Sequence, residues 1–271
     1  MSRLCVCVTA LVCLGGLVRA ADEDVPKITF ESGDYILTFD GGRFWTIWNL
    51  SYKGVQILSG VRGAHNGTVL SCKPEGWIGT GHGLEEVIEM SVKVKAKKRK
   101  FEPDETYKGK ELLLTKKSSL RIYELLATVE LTPDGVTEIN KYTVKEERPI
   151  NFIYGFMHSF AQNLSEWAAQ PAEGEVLSGK FVDDKGNLLQ KPIRWAALFD
   201  PEAKVGIVCR FPDKYVPQST TFFWDREHDN KLYYQLKPKV GEAFECQVNL
   251  RAFECKKGEW SDEAKQVAGK L

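Results

Sequence analysis

Turn-forming clusters recur along this chain at intervals of roughly 8–12 residues, and the runs between them are short and rich in β-branched and aromatic side chains. Ser32-Gly33-Asp34 and Asp40-Gly41-Gly42 separate the runs 28–30, 35–39 and 44–48. Thr132-Pro133-Asp134-Gly135 divides 120–131 from 136–144, and Asp200-Pro201-Glu202-Ala203 divides 194–199 from 205–211. Both carry hairpin chemistry: Pro presets one turn dihedral, Asp bonds back to the backbone, and Gly accepts positive φ. Ile88, Met90, Val92, Val94 and Ala96 alternate with Glu89, Ser91, Lys93 and Lys95, which predicts one buried and one wet face. Further strands fit 55–58, 68–71, 151–160, 175–182, 220–224, 232–236 and 243–253. Only the tail reads as a helix, with Ser261 capping 262–271. The pattern predicts an all-β fold, a large two-sheet antiparallel β-sandwich with a short C-terminal helix.

The N-terminus has a different character. Arg3 precedes an apolar run from Cys5 to Val18 without acid or base, and Leu17-Val18-Arg19-Ala20-Ala21 ends in small residues. This is the layout of a secretory signal, too short in its apolar part to span a bilayer, with cleavage expected after Ala20. The expectation is therefore an exported protein, periplasmic or extracellular, with a signal at 1–20, one β-sandwich domain at 21–271 and no membrane span after cleavage. A retained membrane anchor is the competing reading.

Charge excludes one class of partner. Lys plus Arg and Asp plus Glu balance at 37 each, and losing Arg3 and Arg19 with the signal leaves a slightly acidic chain. Nucleic-acid-binding domains carry a basic excess, so no nucleic acid is expected. The basic run Lys93–Lys100 reads as a solvated strand end.

Cys72, Cys209, Cys246 and Cys255 remain beyond the signal, and none forms a C-x-x-C pair, so no metal site and no cofactor are expected. Export permits disulfides. Cys246 and Cys255 end one expected strand about 30 Å apart and cannot pair with each other. Bridges and buried thiols both stay open.

No nucleophile elbow, P-loop, zinc-protease helix or dinucleotide fingerprint is present. Two segments carry candidate chemistry. Arg62-Gly63-Ala64-His65-Asn66-Gly67 leads into Gly76-Trp77-Ile78-Gly79-Thr80-Gly81-His82-Gly83-Leu84-Glu85-Glu86, where glycines let backbone approach a ligand and polar side chains surround it. An ordinary long turn is the bland reading. In Tyr154-Gly155-Phe156-Met157-His158-Ser159-Phe160, strand alternation puts Tyr154, Phe156, His158 and Phe160 on one face and Met157 and Ser159 on the other. His158 then either lines an aromatic cleft or packs in the core against a backbone carbonyl. Of the seven tryptophans, Trp45, Trp48 and Trp195 read as core, while Trp77, Trp167 and Trp224 lie in or near loops. Aromatic faces with adjacent polar groups suit pyranose rings, which have an apolar face and a rim of hydroxyls.

The layout resembles the galactose-mutarotase-like β-supersandwich. The resemblance is carried by Thr38-Phe39-Asp40-Gly41-Gly42-Arg43-Phe44, Phe156-Met157-His158 and Lys237-Pro238-Lys239-Val240-Gly241-Glu242-Ala243-Phe244-Glu245-Cys246. The chain is also similar to exported bacterial proteins of no assigned function that share the Phe-Met-His-Ser core. The resemblance implies carbohydrate chemistry on a concave sheet. It further implies a His acid with a carboxylate base, here His82 or His158 with Glu86. For a lyase, His158 would abstract the proton, Tyr154 would protonate the leaving oxygen and Arg62 would neutralise a uronate. The expected catalytic set is thus His82, His158 and Glu86, with Arg62, Trp77, Tyr154, Trp167 and Trp224 binding the sugar. The alternative is a non-catalytic exported sugar-binding or structural module.

Overall fold

Pairing that is antiparallel except between residues 29–31 and 106–108 builds two large sheets in the computed structural model, which describes residues 25–60, 65–82, 85–182, 187–225, 228–237, 243–255 and 259–271. The strands are β1 (Lys27–Ser32), β2 (Tyr35–Asp40), β3 (Thr46–Tyr52), β4 (Val55–Leu58), β5 (Gly67–Cys72), β6 (Gly76–Gly79) and β7 (Glu86–Val94). They continue with β8 (Lys97–Arg99), β9 (Thr106–Lys108), β10 (Leu112–Leu120), β11 (Tyr123–Thr132), β12 (Gly135–Val144), β13 (Ile150–Phe160) and β14 (Glu166–Pro171). The last are β15 (Leu177–Lys180), β16 (Asn187–Lys191), β17 (Ile193–Asp200), β18 (Val205–Arg210), β19 (Ser219–Asp225), β20 (Asn230–Leu236) and β21 (Phe244–Glu254), followed by helix α1 (Trp260–Gly269). The expected fold class, an all-β two-sheet sandwich with one short C-terminal helix, is the observed one.

Sheet A runs β16-β19-β20-β13-β4-β3-β2-β1-β9, with β5 also paired to β13 and β6 to β5. Sheet B runs β15-β14-β17-β18-β21-β12-β11-β10-β7-β8. Alternating burial sets the register: β10 buries every second residue from Leu112 to Leu120, and β11 does the same from Tyr123 to Leu131. Their inward faces meet Phe30, Leu37, Phe39 and Leu70 of sheet A in one continuous core. The β11–β12 and β17–β18 hairpins turn where the Pro-Asp and Asp-Pro signals stand.

Three local expectations are corrected. The run 120–131 is not one strand: Arg121, at φ +60°, makes a turn there, and β10 precedes it. The strand expected at 44–48 starts only at Thr46: Phe44 and Trp45, at φ +56° and +60°, extend the turn after Asp40, where a 3-10 turn at Gly41–Arg43 has Asp40 Oδ1 accepting from Gly42 N at 2.9 Å. Helix α1 starts at Trp260 rather than after Ser261. Its start is fixed by tertiary contact: the Trp260 ring stacks on Phe199 at 5.0 Å and its Nε1 donates to Glu166 at 2.8 Å. Ala264, Val267 and Ala268 then bury against Trp195, Phe199 and Phe253 on the outer face of sheet B.

Cys72, Cys209, Cys246 and Cys255 are buried thiols outside any disulfide. No described helix is long and apolar enough to cross a membrane.

Candidate functional site

A bulge in β13 decides which side chains reach the open face of sheet A. Pairing with β20 matches Tyr154 to Gln235 and Phe156 to Tyr234, so Gly155 is the extra residue. A Cβ on Gly155 would sit 2.8 Å from Cys246 Sγ and 3.0 Å from Leu236 Cδ1, so residue 155 faces the core. Phe156 faces it too, against Phe211. Two successive inward positions shift the alternation. Tyr154 and Met157 therefore share the outer face, while Phe156 and His158 share the inner one. The expectation that Tyr154 and His158 lie on one face is corrected by this single extra residue.

On the inner side, His158 is fully buried and lies parallel to Phe156, ring centroids 3.8 Å apart. Its Nε2 lies 3.0 Å from Glu138 Oε2 on β12 of sheet B, a contact between the sheets. Asn140 Nδ2 donates to Glu138 Oε1 at 2.7 Å. Burial pushes the Glu138 carboxyl upward, but His158, Asn140 and Lys116 together outweigh it and hold it below its ordinary value. Beside this pair, Lys116 Nζ contacts Glu85 Oε1 at 2.6 Å and donates to Phe44 O at 2.6 Å. Ser118 Oγ donates to the same Glu85 oxygen at 2.7 Å, and Gly81 N donates to Oε2 at 2.8 Å. Burial pulls the Lys116 ammonium below its ordinary value against the pull of Glu85. The Lys116 and Glu85 charges survive this deep because each is paired and hydrogen-bonded.

The outer side holds a cleft of about 290 Å³ lined by His65, Val69, Trp77, His82, Tyr154, Met157, Trp224, Lys231 and Tyr233. Val69, Met157 and Tyr233 form its buried floor. The β5–β6 pair brings the histidine loop here. Gly67, at φ +132°, lets Thr80 close onto β5, since a Cβ there would collide with Thr80 Oγ1. Thr80 Oγ1 accepts from Thr68 N at 2.9 Å, and His82 N donates to Gly79 O at 3.3 Å.

These contacts set the histidine's chemistry. His82 Nδ1 lies 3.1 Å from Thr80 O, and a carbonyl only accepts, so the proton is on Nδ1 and Nε2 carries the lone pair. Burial, and more weakly Lys231, hold the imidazole below its ordinary value, so it is neutral near pH 7. The His65 ring lies 4.8 Å away, centroid to centroid. Lys231 is itself almost fully buried, its Nζ 5.6 Å from the Tyr233 ring.

Of the expected site residues, Trp77, His82, Tyr154 and Trp224 line this one cleft. His158 is on the inner face, and Glu86 is exposed on β7 of sheet B, opposite Ser119. The neighbouring Glu85 is the buried carboxylate, and it is engaged by Lys116 and the turn before His82. Trp167 lies on β14 of sheet B and packs into the core against Phe223 at 5.4 Å. Arg62 lies outside the described residues. His65, Met157, Lys231 and Tyr233 are cleft residues that the sequence reading did not select. Lys231, Tyr233 and Gln235 alternate with the inward Leu232, Tyr234 and Leu236, a pattern that marks them as one face once sheet A has an open side. Among the described residues no group of three His, Cys, Asp or Glu side chains is placed to hold a metal ion.

No protein-family model and no curated protein matches this chain in sequence. Solved structures do match in shape. A galactose mutarotase-like protein from Lactobacillus casei ATCC 334 superposes at TM-score 0.54 with 12% identity, over 84% of this chain and 100% of its own. A candidate aldose 1-epimerase from Escherichia coli K12 gives 0.54 with 10% identity, over 85% and 100%. The α-galactosidase AgaB from Geobacillus stearothermophilus gives 0.56 with 10% identity, but this chain covers only 39% of it. The fold is galactose-mutarotase-like. At such identities the likeness speaks for architecture alone, and the expected supersandwich is the architecture found.

Proposed function

We propose that this is an exported carbohydrate-active protein that takes a sugar into the outer cleft of sheet A and moves protons on it through His82. One observation carries the reading: a neutral imidazole, its tautomer fixed by Thr80 O, lies in a cleft rimmed by Trp77, Tyr154 and Trp224. The aromatic faces suit the apolar side of a pyranose. A basic Nε2 suits proton removal near neutral pH. In an epimerase-like reaction, His82 takes the anomeric hydroxyl proton while His65 protonates the ring oxygen. The ring C–O bond breaks and recloses on the other face, and both protons return. In a lyase-like reaction, His82 removes the proton α to a uronate carboxylate, whose charge Lys231 offsets. The likeness in fold to sugar-processing proteins supports the ligand class, and the residues 1–20 support export.

The test is turnover. Purified protein is followed by polarimetry on free aldoses and by ultraviolet absorbance on uronate polymers, beside a His82→Asn variant. The reading expects one signal in the wild type and its loss, by 10²-fold or more, in the variant. Turnover that survives in His82→Asn removes His82 from the chemistry.

A second reading has its own support. The described lining of the cleft contains imidazoles and an ammonium but no carboxylate, which favours a sugar-binding module without catalysis. Binding by calorimetry with no turnover in either assay selects it.

A further inference from the structure

The aromatic side chains of the cleft do not form a single stacking plate. They form a row running across the strands. Trp77 on β6 lies parallel to Tyr154 on β13, centroids 6.0 Å apart. Tyr154 meets Tyr233 on β20 at 4.8 Å, and Tyr233 meets Trp224 on β19 at 6.2 Å. Phe152 and Phe222 thicken the row, at 4.7 Å from Tyr154 and 4.6 Å from Tyr233 respectively. From β6 through β5, β13 and β20 to β19 is four inter-strand steps. The ring-to-ring separations bound the row at about 17 Å between its end centroids, several times the width of one sugar ring.

Exposure sharpens the point. The two end residues, Trp77 at 49% and Trp224 at 39%, are among the most solvent-exposed large apolar side chains in the described structure, while Tyr233 between them is buried. A single aldose stacked beside His82 covers part of this row and leaves a terminal tryptophan bare. A row whose two end residues are both exposed fits a ligand that reaches past each of them.

We propose, resting on the carbohydrate reading of this cleft, that its ligand is a chain of linked sugar units lying across the strands rather than a free monosaccharide. The chain presents successive apolar ring faces to Trp77, Tyr154, Tyr233 and Trp224, and one unit stands over His65, His82 and Lys231. The polar groups act on, or hold, that one unit, and the flanking aromatic rings set affinity and register.

The experiment is isothermal titration of the mature protein with graded ladders, mono- to hexasaccharide, prepared from galactan, xylan and polygalacturonate. Trp77→Ala, Trp224→Ala and His82→Asn variants are titrated beside it. Both tryptophans are exposed, and circular dichroism and thermal melts confirm that the variants fold. Affinity is expected to rise with length through at least the trisaccharide. Each Trp→Ala change is expected to weaken the longer oligosaccharides about tenfold and the monosaccharide by a smaller factor. Equal affinity for mono- and hexasaccharide, with both tryptophan variants silent, overturns the chain proposal and leaves the carbohydrate reading standing. Failure to bind any member of any ladder overturns both.

Discussion

Tyr154 and His158 leave the same strand on opposite faces of sheet A, because Gly155 is bulged between them. The tyrosine reaches the open cleft and the histidine crosses the core to Glu138. Gly155→Ala tests whether the bulge needs this glycine. Its new methyl would press on Cys246 Sγ and Leu236 Cδ1 in a packed interior, and overpacking of this kind costs about 1–3 kcal/mol. Urea denaturation should show that loss. A Cys246→Ala change in the same chain should recover part of it, since it removes the nearer of the two obstacles. No destabilisation in the single variant would mean that the strand accommodates a Cβ there without strain.

The buried charges give a second prediction. Lys116 is the cation that Glu85 contacts at 2.6 Å, and both are buried. Lys116→Ala strands a carboxylate in the core and should cost about 3–5 kcal/mol, whereas Lys116→Met with Glu85→Gln removes both charges and should cost markedly less. Chemical denaturation of the three proteins decides it. If single and double variants are equally destabilised, the pair's charge is not what matters and the loss is one of packing.

Much of the gross fold is legible because two hairpins announce themselves locally: Pro133-Asp134 and Pro201 sit where β11–β12 and β17–β18 turn. The sheet order is not, since it depends on pairings such as β12 with β21 and β13 with β5 that no local signal encodes. Strand β10 escaped notice because Lys116-Lys117-Ser118-Ser119 looks like surface, although Leu112, Leu114 and Leu120 share the parity of Lys116 and Ser118. At the site, Trp77, His82, Tyr154 and Trp224 stood out by residue type in unusual settings. Nothing local separates Glu86 from Glu85, and only the tertiary position of Lys116 decides which of them is buried and paired. His158 was misplaced for a different reason. Period-2 reasoning holds only while the strand is regular, and a bulge of one residue inverts every face beyond it.

The thiols give a third prediction. Burial pushes Cys209 well above its ordinary value, and burial with Glu75 nearby pushes Cys72 up to about 11. A thiol kept protonated and enclosed is a poor nucleophile. The protein beginning at Ala21 should therefore react slowly with a disulfide reagent in the native state and release all four thiols in denaturant without any reductant. Fewer thiols in denaturant would reveal a bridge.

The last prediction separates His82 from Glu138 by pH. His82 is held below its ordinary value of 6.5, chiefly by burial, so the folded protein resists a proton that the unfolded chain accepts. In the window just below pH 6.5 the unfolded state binds more protons than the native state, and stability falls as pH falls. Glu138 is held below its ordinary value of 4.5 by His158, Asn140 and Lys116. Its contribution is fully present above that value and is lost only as pH drops below it, through the depressed folded value. Thermal melts from pH 8 to pH 3 should thus show two successive losses. His82→Gln should abolish the upper one and spare the lower, because Gln carries no titrating group and the inner pair is on the other face of the sheet. Glu138→Gln should start from a less stable protein, since His158 loses its partner, and should flatten the lower loss while leaving the upper. If His82→Gln leaves the upper loss untouched, the group titrating there is not the cleft imidazole, and the neutral base assigned to this site is not His82.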